Sequence, residues 1–473
     1  MGGDALRLLP EAALLLGSVG VLLTGSFLSR SRQAVARWGA VAACVVSAAA
    51  AVVGPAGPPA AVFSGTDTVD AALGLSRLVI ALSTLAVLLL GSGELAGSAR
   101  QSEISCLLLL SAAGTMVLAG ATDLLVLAVA FLLTGIPLYA LIGMSRTPAA
   151  AEAAVKTYLL GALFGIVLMV GVTLILAMTR GTLYRQIGLV TAGPAVVVAV
   201  GAVAVLAGLL FEAGAFPGHF WIPDSAQAAL ITAAAFLTTV PKVGAMVAAY
   251  RLVAALPSAV DLTVMLGVVA AVSMTLGNLA ALAQRDPRRL LGWSTVSQVG
   301  YLLLPVAVAG RTELALPALL LYLAGYALSN LAAFAVVAAV PERPEISSYR
   351  GLAAQRPMLA GALLVALLSL VGTPPTAVFA GKVAVFTAAW DGGQPWLTVV
   401  AIVNTLISLF YYLRWIAPAF ARPARDESAD GRNATERAGS GRRWAAGVAV
   451  ATAAGTLGLI FLSGWIVLLA RSG

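Results

Sequence analysis

The sequence predicts an all-α, polytopic membrane protein with about fourteen transmembrane helices. Sixty per cent of its 473 residues are hydrophobic and only 10% are charged, against about a quarter charged in soluble domains. Mean hydropathy is +0.99. Apolar runs of about 20 residues recur along the chain, each long enough to cross roughly 30 Å of hydrocarbon as a helix. Backbone groups in lipid must be satisfied within their own segment, so these runs predict helices and not open sheet.

The runs fall at 8–28, 36–54, 72–91, 104–120, 122–143, 154–178, 194–216, 227–251, 259–283, 289–308, 313–340, 358–390, 396–420 and 444–470. The first, from Glu11 to Leu28, is followed by many further spans and lacks a small-residue cleavage site, so it reads as a span and not a signal peptide. The twelfth is too long for one straight crossing and is interrupted by Gly372-Thr373-Pro374-Pro375. The seventh ends in Gly214-Ala215-Phe216-Pro217-Gly218. Gly and Pro at membrane depth free backbone groups, which is tolerated where protein or a wet cavity receives them. Two broken helices five spans apart predict two inverted five-helix repeats, spans 4–8 and 9–13. The expected organisation is three leading helices (1–99), the first repeat (100–255), the second repeat (256–420), then a loop and a last helix (421–473).

Arginines set the orientation. Arg30, Arg32 and Arg37 follow the first span; Arg285, Arg288 and Arg289 the ninth; Arg343, Arg350 and Arg356 the eleventh. Arg422, Arg425, Arg432, Arg437, Arg442 and Arg443 follow the thirteenth. In a fourteen-span chain all these loops share one side, which is then cytoplasmic, with both termini outside a bacterial cell membrane. Arg180 and Arg185 are a minor exception. The net charge of +8 is therefore a topology signal and gives no case for nucleic-acid binding; the lipid bilayer is the expected surrounding. Residues 421–443 read as a flexible polar loop, and the Asn433-Ala434-Thr435 sequon within it is without meaning on a cytoplasmic side.

Several chemistries are excluded. Cys44 and Cys106, far apart in apolar spans, cannot supply a four-thiolate iron–sulfur site. One histidine, His219, is too few for a zinc cluster or haem pair, and no phosphate-cradling glycine loop occurs. No cofactor is expected on this chain.

Ionisable groups at membrane depth remain. A charge near the bilayer centre costs roughly 2.5–3.5 kcal/mol on insertion scales, so such groups face a wet interior and carry function. Only three lysines occur, Lys156, Lys242 and Lys382, each within or at the edge of an apolar stretch, while arginine supplies the other basic residues. Lysine can lose its proton when buried; arginine cannot. Lys156 opens the sixth span, where it can also snorkel to the surface. Glu212 ends the seventh, followed by His219 and then Asp224, expected as a cap or loop residue. Lys242 follows Pro241 in the middle of the eighth, and Lys382 lies just past the break of the twelfth. Such a line of groups can pass a proton if water links them.

These residues sit in stretches that carry a resemblance: Ile136-Pro137-Leu138-Tyr139, EAAVKTYLLGA (152–162), AGAFPGHFWIPD (213–224), VPK (240–242), RRLLGWSTVSQVGY (288–301) and VGTPPTAVFAGKVAVF (371–386). In this order they resemble the antiporter-like subunit N (ND2-type) family of bacterial proton-pumping NADH–quinone oxidoreductase, respiratory complex I, itself similar to Mrp-type antiporter subunits. The likeness covers about residues 100–420. It implies a hydrated, membrane-parallel proton path through Lys156, His219, Lys242 and Lys382, driven from the quinone-reducing arm; Glu212 is added as a candidate from its own place at membrane depth. It also implies that NADH, FMN, iron–sulfur clusters and quinone are held by partner subunits, the other membrane subunits of the assembly among them.

Two departures fall on the path. The family's glutamate on the fifth span is Leu132 here, and the lysine seven residues before the histidine is Glu212. The segment after Pro223-Asp224 reads SAQAAL where the family tends to have a Gly-Ala-Pro turn. These mark a divergent paralogue, and Glu212 is expected to pair with Lys156 or Lys242. Three functions follow: a proton-translocating, non-redox subunit of a complex-I-like enzyme; a subunit of an Mrp-type antiporter or membrane-bound hydrogenase-like complex; or a structural subunit with an inactive path.

Overall fold

The computed structural model describes residues 7–53, 60–191, 195–422 and 440–471. Among these, thirteen helices are long and apolar enough to cross a bilayer. The chain opens with α1 (Leu9–Phe27), α2 (Ala34–Val53) and α3 (Ala71–Leu90). It continues through α4 (Gln101–Gly120), α5 (Leu124–Gly143), α6 (Pro148–Thr179), α7 (Ala195–Ala213), α8 (Trp221–Ala228) and α9 (Ile231–Ala254). Then come α10 (Thr263–Leu282), α11 (Pro287–Ala307), α12 (Ala315–Ala339), α13 (Pro357–Val371), α14 (Ala377–Asp391), α15 (Pro395–Phe420) and α16 (Ser440–Arg471). The expected twelfth span is thus realised as two 15-residue helices, α13 and α14, each too short to cross alone.

Helix starts follow side-chain capping. Asp70, Asp123, Thr147, Asp286 and Thr376 each accept from main-chain N–H groups of the first turn, satisfying donors that have no intrahelical partner. The centre of the bundle is α9, α11 and α12, whose most apolar stretches are 94%, 94% and 89% buried; α6 stands at the rim with 28%. A helix buried all round must place its polar side chains against protein, and α11 and α12 do so.

The structure departs from the sequence reading in four places. Between α2 and α3 two short strands, β1 (Ala60–Val62) and β2 (Asp67–Val69), pair antiparallel; their turn passes through Phe63 and Ser64 at φ 48° and 62°, outside the membrane where polar turns are solvated. Helix α6 begins at Pro148, not near residue 154, because Thr147 caps it and Pro148 suits its first position. Its 32 residues span about 48 Å, so Lys156 sits in the third turn and not at the opening. Asp224 is neither cap nor loop but lies in the first turn of α8. Helix α16 starts at 440, within the expected 421–443 loop, whose residues 423–439, the Asn433 sequon included, lie outside the described residues. Cys44 and Cys106 are buried free thiols.

The arginine-rich loops are tied together on one face. Arg30 donates to Gly97 O, Arg37 to Ser92 O, Arg288 to Ala229 O and Arg350 to Arg422 O. Glu342 bridges Arg356 and Arg442. At the opposite ends of the helices Arg251 pairs with Asp70 at 2.7 Å and Arg311 with Asp261 at 2.7 Å.

Candidate functional site

The two helix breaks are built alike. Helix α7 stops at Ala213 and Gly214 follows at φ +86°; helix α13 stops at Val371 and Gly372 follows at φ +88°. Both glycines occupy the left-handed region that L side chains rarely adopt. The main-chain N–H groups after each break turn back on one carbonyl, Leu210 O for Gly214 and Ala215, and Leu368 O for Gly372 and Thr373.

Each half-helix then leaves carbonyls in the bundle interior that need donors. At the first break Trp221 Nε1 donates to Phe211 O at 3.1 Å and Lys242 Nζ to Glu212 O at 2.9 Å. At the second, Gln298 Nε2 donates to Leu370 O at 2.9 Å and Lys382 Nζ to Val371 O at 2.9 Å. A neutral donor takes one carbonyl and a lysine takes the next. The negative end of the helix dipole favours a cation there and offsets part of the cost of burying the charge. The ammonium groups also lie over rings, Lys242 at 4.8 Å from Trp221 and Lys382 at 4.1 Å from Tyr301. Lys242 is fully buried and Lys382 is 2% exposed, so neither snorkels to a membrane surface.

Between the two lysines runs a belt of neutral polar side chains. Asn330 on α12 donates to the hydroxyls of Thr238 and Thr239 on α9, at 3.0 and 2.8 Å. The Tyr326 hydroxyl donates to Thr238 O at 2.6 Å and lies within hydrogen-bond distance of Thr295 Oγ1 at 3.0 Å. Tyr322 donates to Gln298 Oε1, and the Tyr412 hydroxyl meets Ser294 Oγ at 2.5 Å. At the far end Lys382 donates to Thr405 Oγ1 at 3.2 Å, and Thr405 to the Tyr301 hydroxyl at 3.2 Å. Ionisable groups alone do not reveal this belt. Its signal was present as polar residues at helical spacing within apolar runs: Ser294, Gln298 and Tyr301 on α11, and Tyr322, Tyr326 and Asn330 on α12.

The other candidate residues divide. His219 is fully buried among Phe220, Trp293 and Phe216, ring centroids 4.1, 5.7 and 6.0 Å away, and neither ring nitrogen is bonded to another side chain. Lys156 lies on the rim helix α6 and is open to the exterior. It is 51% exposed and pairs with Glu152 at 2.6 Å and Asp224 at 3.5 Å; Arg289 binds Asp224 at 2.7 Å. These groups line an open recess of about 680 Å³ on the arginine-rich face.

Glu212 is fully buried and so is not turned toward lipid. Of the two expected partners, Lys156 is engaged with Glu152 and Asp224. Lys242 is the neighbour, but it bonds the main-chain carbonyl of Glu212 and not the carboxylate, which it reaches only through Coulombic interaction. Both carboxylate oxygens lack a hydrogen-bond partner and point at α5. A β-carbon at Gly135 would lie 3.4 Å from Glu212 Oε2 and 2.8 Å from the Tyr139 hydroxyl. Leu132, where the resemblance places an acid, is 47% exposed in a groove of about 500 Å³ beside α6.

Comparison with known proteins bears on this site. Residues 121–408 match the family described as NADH:quinone oxidoreductase/Mrp antiporter, TM. The chain is 55% identical over 444 residues to NADH-quinone oxidoreductase subunit N of Mycobacterium sp. (strain JLS), covering 94% of this chain and 93% of that one. It is 50% identical over 471 residues to NADH-quinone oxidoreductase subunit N 1 of Streptomyces griseus subsp. griseus, covering 99% and 98%. A chain of respiratory complex I from Thermus thermophilus with bound aureothin superposes with a TM-score of 0.82 at 31% identity, over 98% of this chain and 100% of that one.

Proposed function

The chain belongs to the NADH:quinone oxidoreductase/Mrp antiporter transmembrane family, among the subunit N proteins, and we propose that it moves protons along its buried polar belt within a complex-I-like assembly. The observation that carries this is the matched placement of Lys242 and Lys382, each bonded to a terminal carbonyl of a broken helix and fully enclosed by protein. A helix-end carbonyl compensates part of the cost of charging each lysine, and the proton can leave without stranding a hydrogen-bonded carboxylate partner.

In this reading the charge state of one lysine biases the next through the belt, with water joining hydroxyls that do not touch. Thr295 bonds Tyr326, and Thr405 bonds Tyr301; each hydroxyl can accept and donate together. Gln298 orients Tyr322 and caps Leu370, but an amide does not relay a net proton, so it positions the belt. The two breaks support the inverted-repeat organisation, with the first repeat ending near residue 255 and the second near 420. Redox chemistry belongs to partner subunits, which would hold NADH, FMN, iron–sulfur clusters and quinone. The tied arginine-rich face supports a cytoplasmic assignment for that side and outer positions for both termini.

The test is proton pumping by the intact complex in proteoliposomes, with Lys242→Ala and Lys382→Ala compared against the parent. The reading expects each to lower protons moved per electron; parental pumping in both would defeat it and favour a structural subunit.

A further inference from the structure

We propose that the recess around Lys156 feeds the Glu212–Lys242 end of the belt through a hydroxyl relay made by Ser225, Thr157 and Tyr139, with the Glu212 carboxylate as acceptor. The relay deepens the proton-translocation reading above and rests on it.

The residues stand in sequence from surface to interior. Lys156 and Asp224 form the wall of the recess. The next residue on each helix points inward: Thr157 and Ser225 are both fully buried, and their hydroxyls meet at 3.1 Å. Thr157 also donates to Ala153 O at 2.7 Å, leaving its lone pairs for the Ser225 proton. One helical turn further along the same face of α6 is Gly161. A β-carbon there would lie 2.1 Å from the Tyr139 hydroxyl oxygen, so only glycine admits the phenol between α5 and α6. On the other side Gly135 gives the same phenol room, and Glu212 Oε2 closes on that same point. The two distances at Gly135 bound the Tyr139–Glu212 separation to the reach of one or two bridging waters. Tyr139 and Glu212 interact electrostatically. The carboxylate has no competing bond, and Lys242 lies just beyond.

Proton bookkeeping is simple. A proton arriving at Ser225 or Thr157 is exchanged for the hydroxyl's own proton, which crosses one helical turn to Tyr139 through bridging water; the phenol does likewise. One proton is thereby delivered to Glu212, converting carboxylate to carboxylic acid, and passes on to neutral Lys242. No group other than Glu212 and Lys242 changes its charge. An apolar packing role for the same residues would need no hydroxyl at either depth, and Ser225 falls in the segment SAQAAL.

The experiment uses the intact complex in proteoliposomes, with Tyr139→Phe, the double variant Thr157→Val/Ser225→Ala, the conservative Ser225→Thr and the controls Lys242→Ala and Lys382→Ala. The readout is the rate at which the Glu212 carbonyl-stretch infrared band appears after a drop in pH on the recess side, the band being assigned by its loss in Glu212→Gln. The expected result is slowing of at least about tenfold in Tyr139→Phe and in the double variant, with Ser225→Thr at the parental rate and assembled complex unchanged. A parental rate in Tyr139→Phe overturns the relay, and that isosteric variant decides alone if the double variant does not assemble. If Lys242→Ala loses pumping while Tyr139→Phe keeps the parental band rate, only the relay is wrong. If Lys242→Ala and Lys382→Ala both pump like the parent, the translocation reading itself fails.

Discussion

Lys242 donates its ammonium to the main-chain carbonyl of Glu212 at 2.9 Å, while the carboxylate of the same residue faces α5 with no hydrogen-bond partner. One residue thus offers two different things to the proton path. Its backbone oxygen, at the end of α7, carries the partial negative charge of a helix C-terminus and holds the lysine. Its side chain is left to gain or lose a proton. Val371 does only the first of these for Lys382. The two breaks therefore share their lysine seats but not their acids.

This division predicts that Glu212→Gln leaves the lysine seat standing. The amide keeps the side-chain volume and the main-chain oxygen is untouched, so complex assembly and thermal midpoint should match the parent. Proton translocation should fall by at least about tenfold, because an amide cannot take the proton. Measuring both on one preparation checks it: a lost midpoint would mean that the carboxylate holds the fold, and unchanged pumping would mean that it is idle.

The breaks themselves predict a pair of backbone variants. At Gly214 a β-carbon would stand 2.3 Å from Ile222 Cδ1, and at Gly372 it would stand 2.7 Å from Lys382 Cδ, both at positive φ. Gly214→Ala and Gly372→Ala should each cost about 1–3 kcal/mol. Gly372→Ala should in addition displace the lysine it touches. Thermal melts report the common loss, and pumping at a permissive temperature should fall further in Gly372→Ala than its stability alone accounts for.

Membrane depth makes some of this legible in the sequence and hides the rest. Lys242, Lys382 and the two Gly/Pro breaks stand out because charge and freed backbone are costly in hydrocarbon. The exposure of Lys156 is hidden because Ala and Val precede it: hydropathy cannot show that α6 begins eight residues before it, at Pro148. The neutral belt of Gln298, Tyr322 and Tyr326 escapes a search for formal charge, although it leaves α11 with the lowest hydropathy of the spans, 1.3. Glu11 and Arg77 are hidden for another reason, since each begins or interrupts a separate apolar run and only tertiary packing joins them.

That joined pair is the next prediction. Arg77 Nε and Nη2 contact Glu11 Oε1 and Oε2 at 2.6 and 2.9 Å, and the two side chains are 4% and 3% exposed. The pair ties α1 to α3, away from the lysine belt. Removing one partner strands the other charge, so Arg77→Ala should cost about 3–5 kcal/mol, whereas replacing both with apolar side chains (Glu11→Leu with Arg77→Met) should cost far less. Melts of the single and double variants decide it: a double variant as unstable as Arg77→Ala would show that the pair contributes more than mutual neutralisation.

Asp67 carries the pH prediction. It lies on β2, outside the spans, 6% exposed, with Oδ1 lacking a partner. Burial first, and then the nearby charge of Glu11, push its carboxyl up from 3.8 to about 6. The folded chain therefore holds this proton more tightly than the unfolded chain does. Stability from the neutral acid is fully present below the unfolded value and is lost as pH rises through about 6, with no further change from this group above it. The loss amounts to at most about 3 kcal/mol. Asp67→Asn keeps the shape and removes the ionisation, so it should match the parent near pH 4 and exceed it in thermal midpoint by pH 7.5. Midpoints across that interval check the sign: a difference that shrinks with rising pH would mean that the ionised carboxylate is the favoured form in the fold.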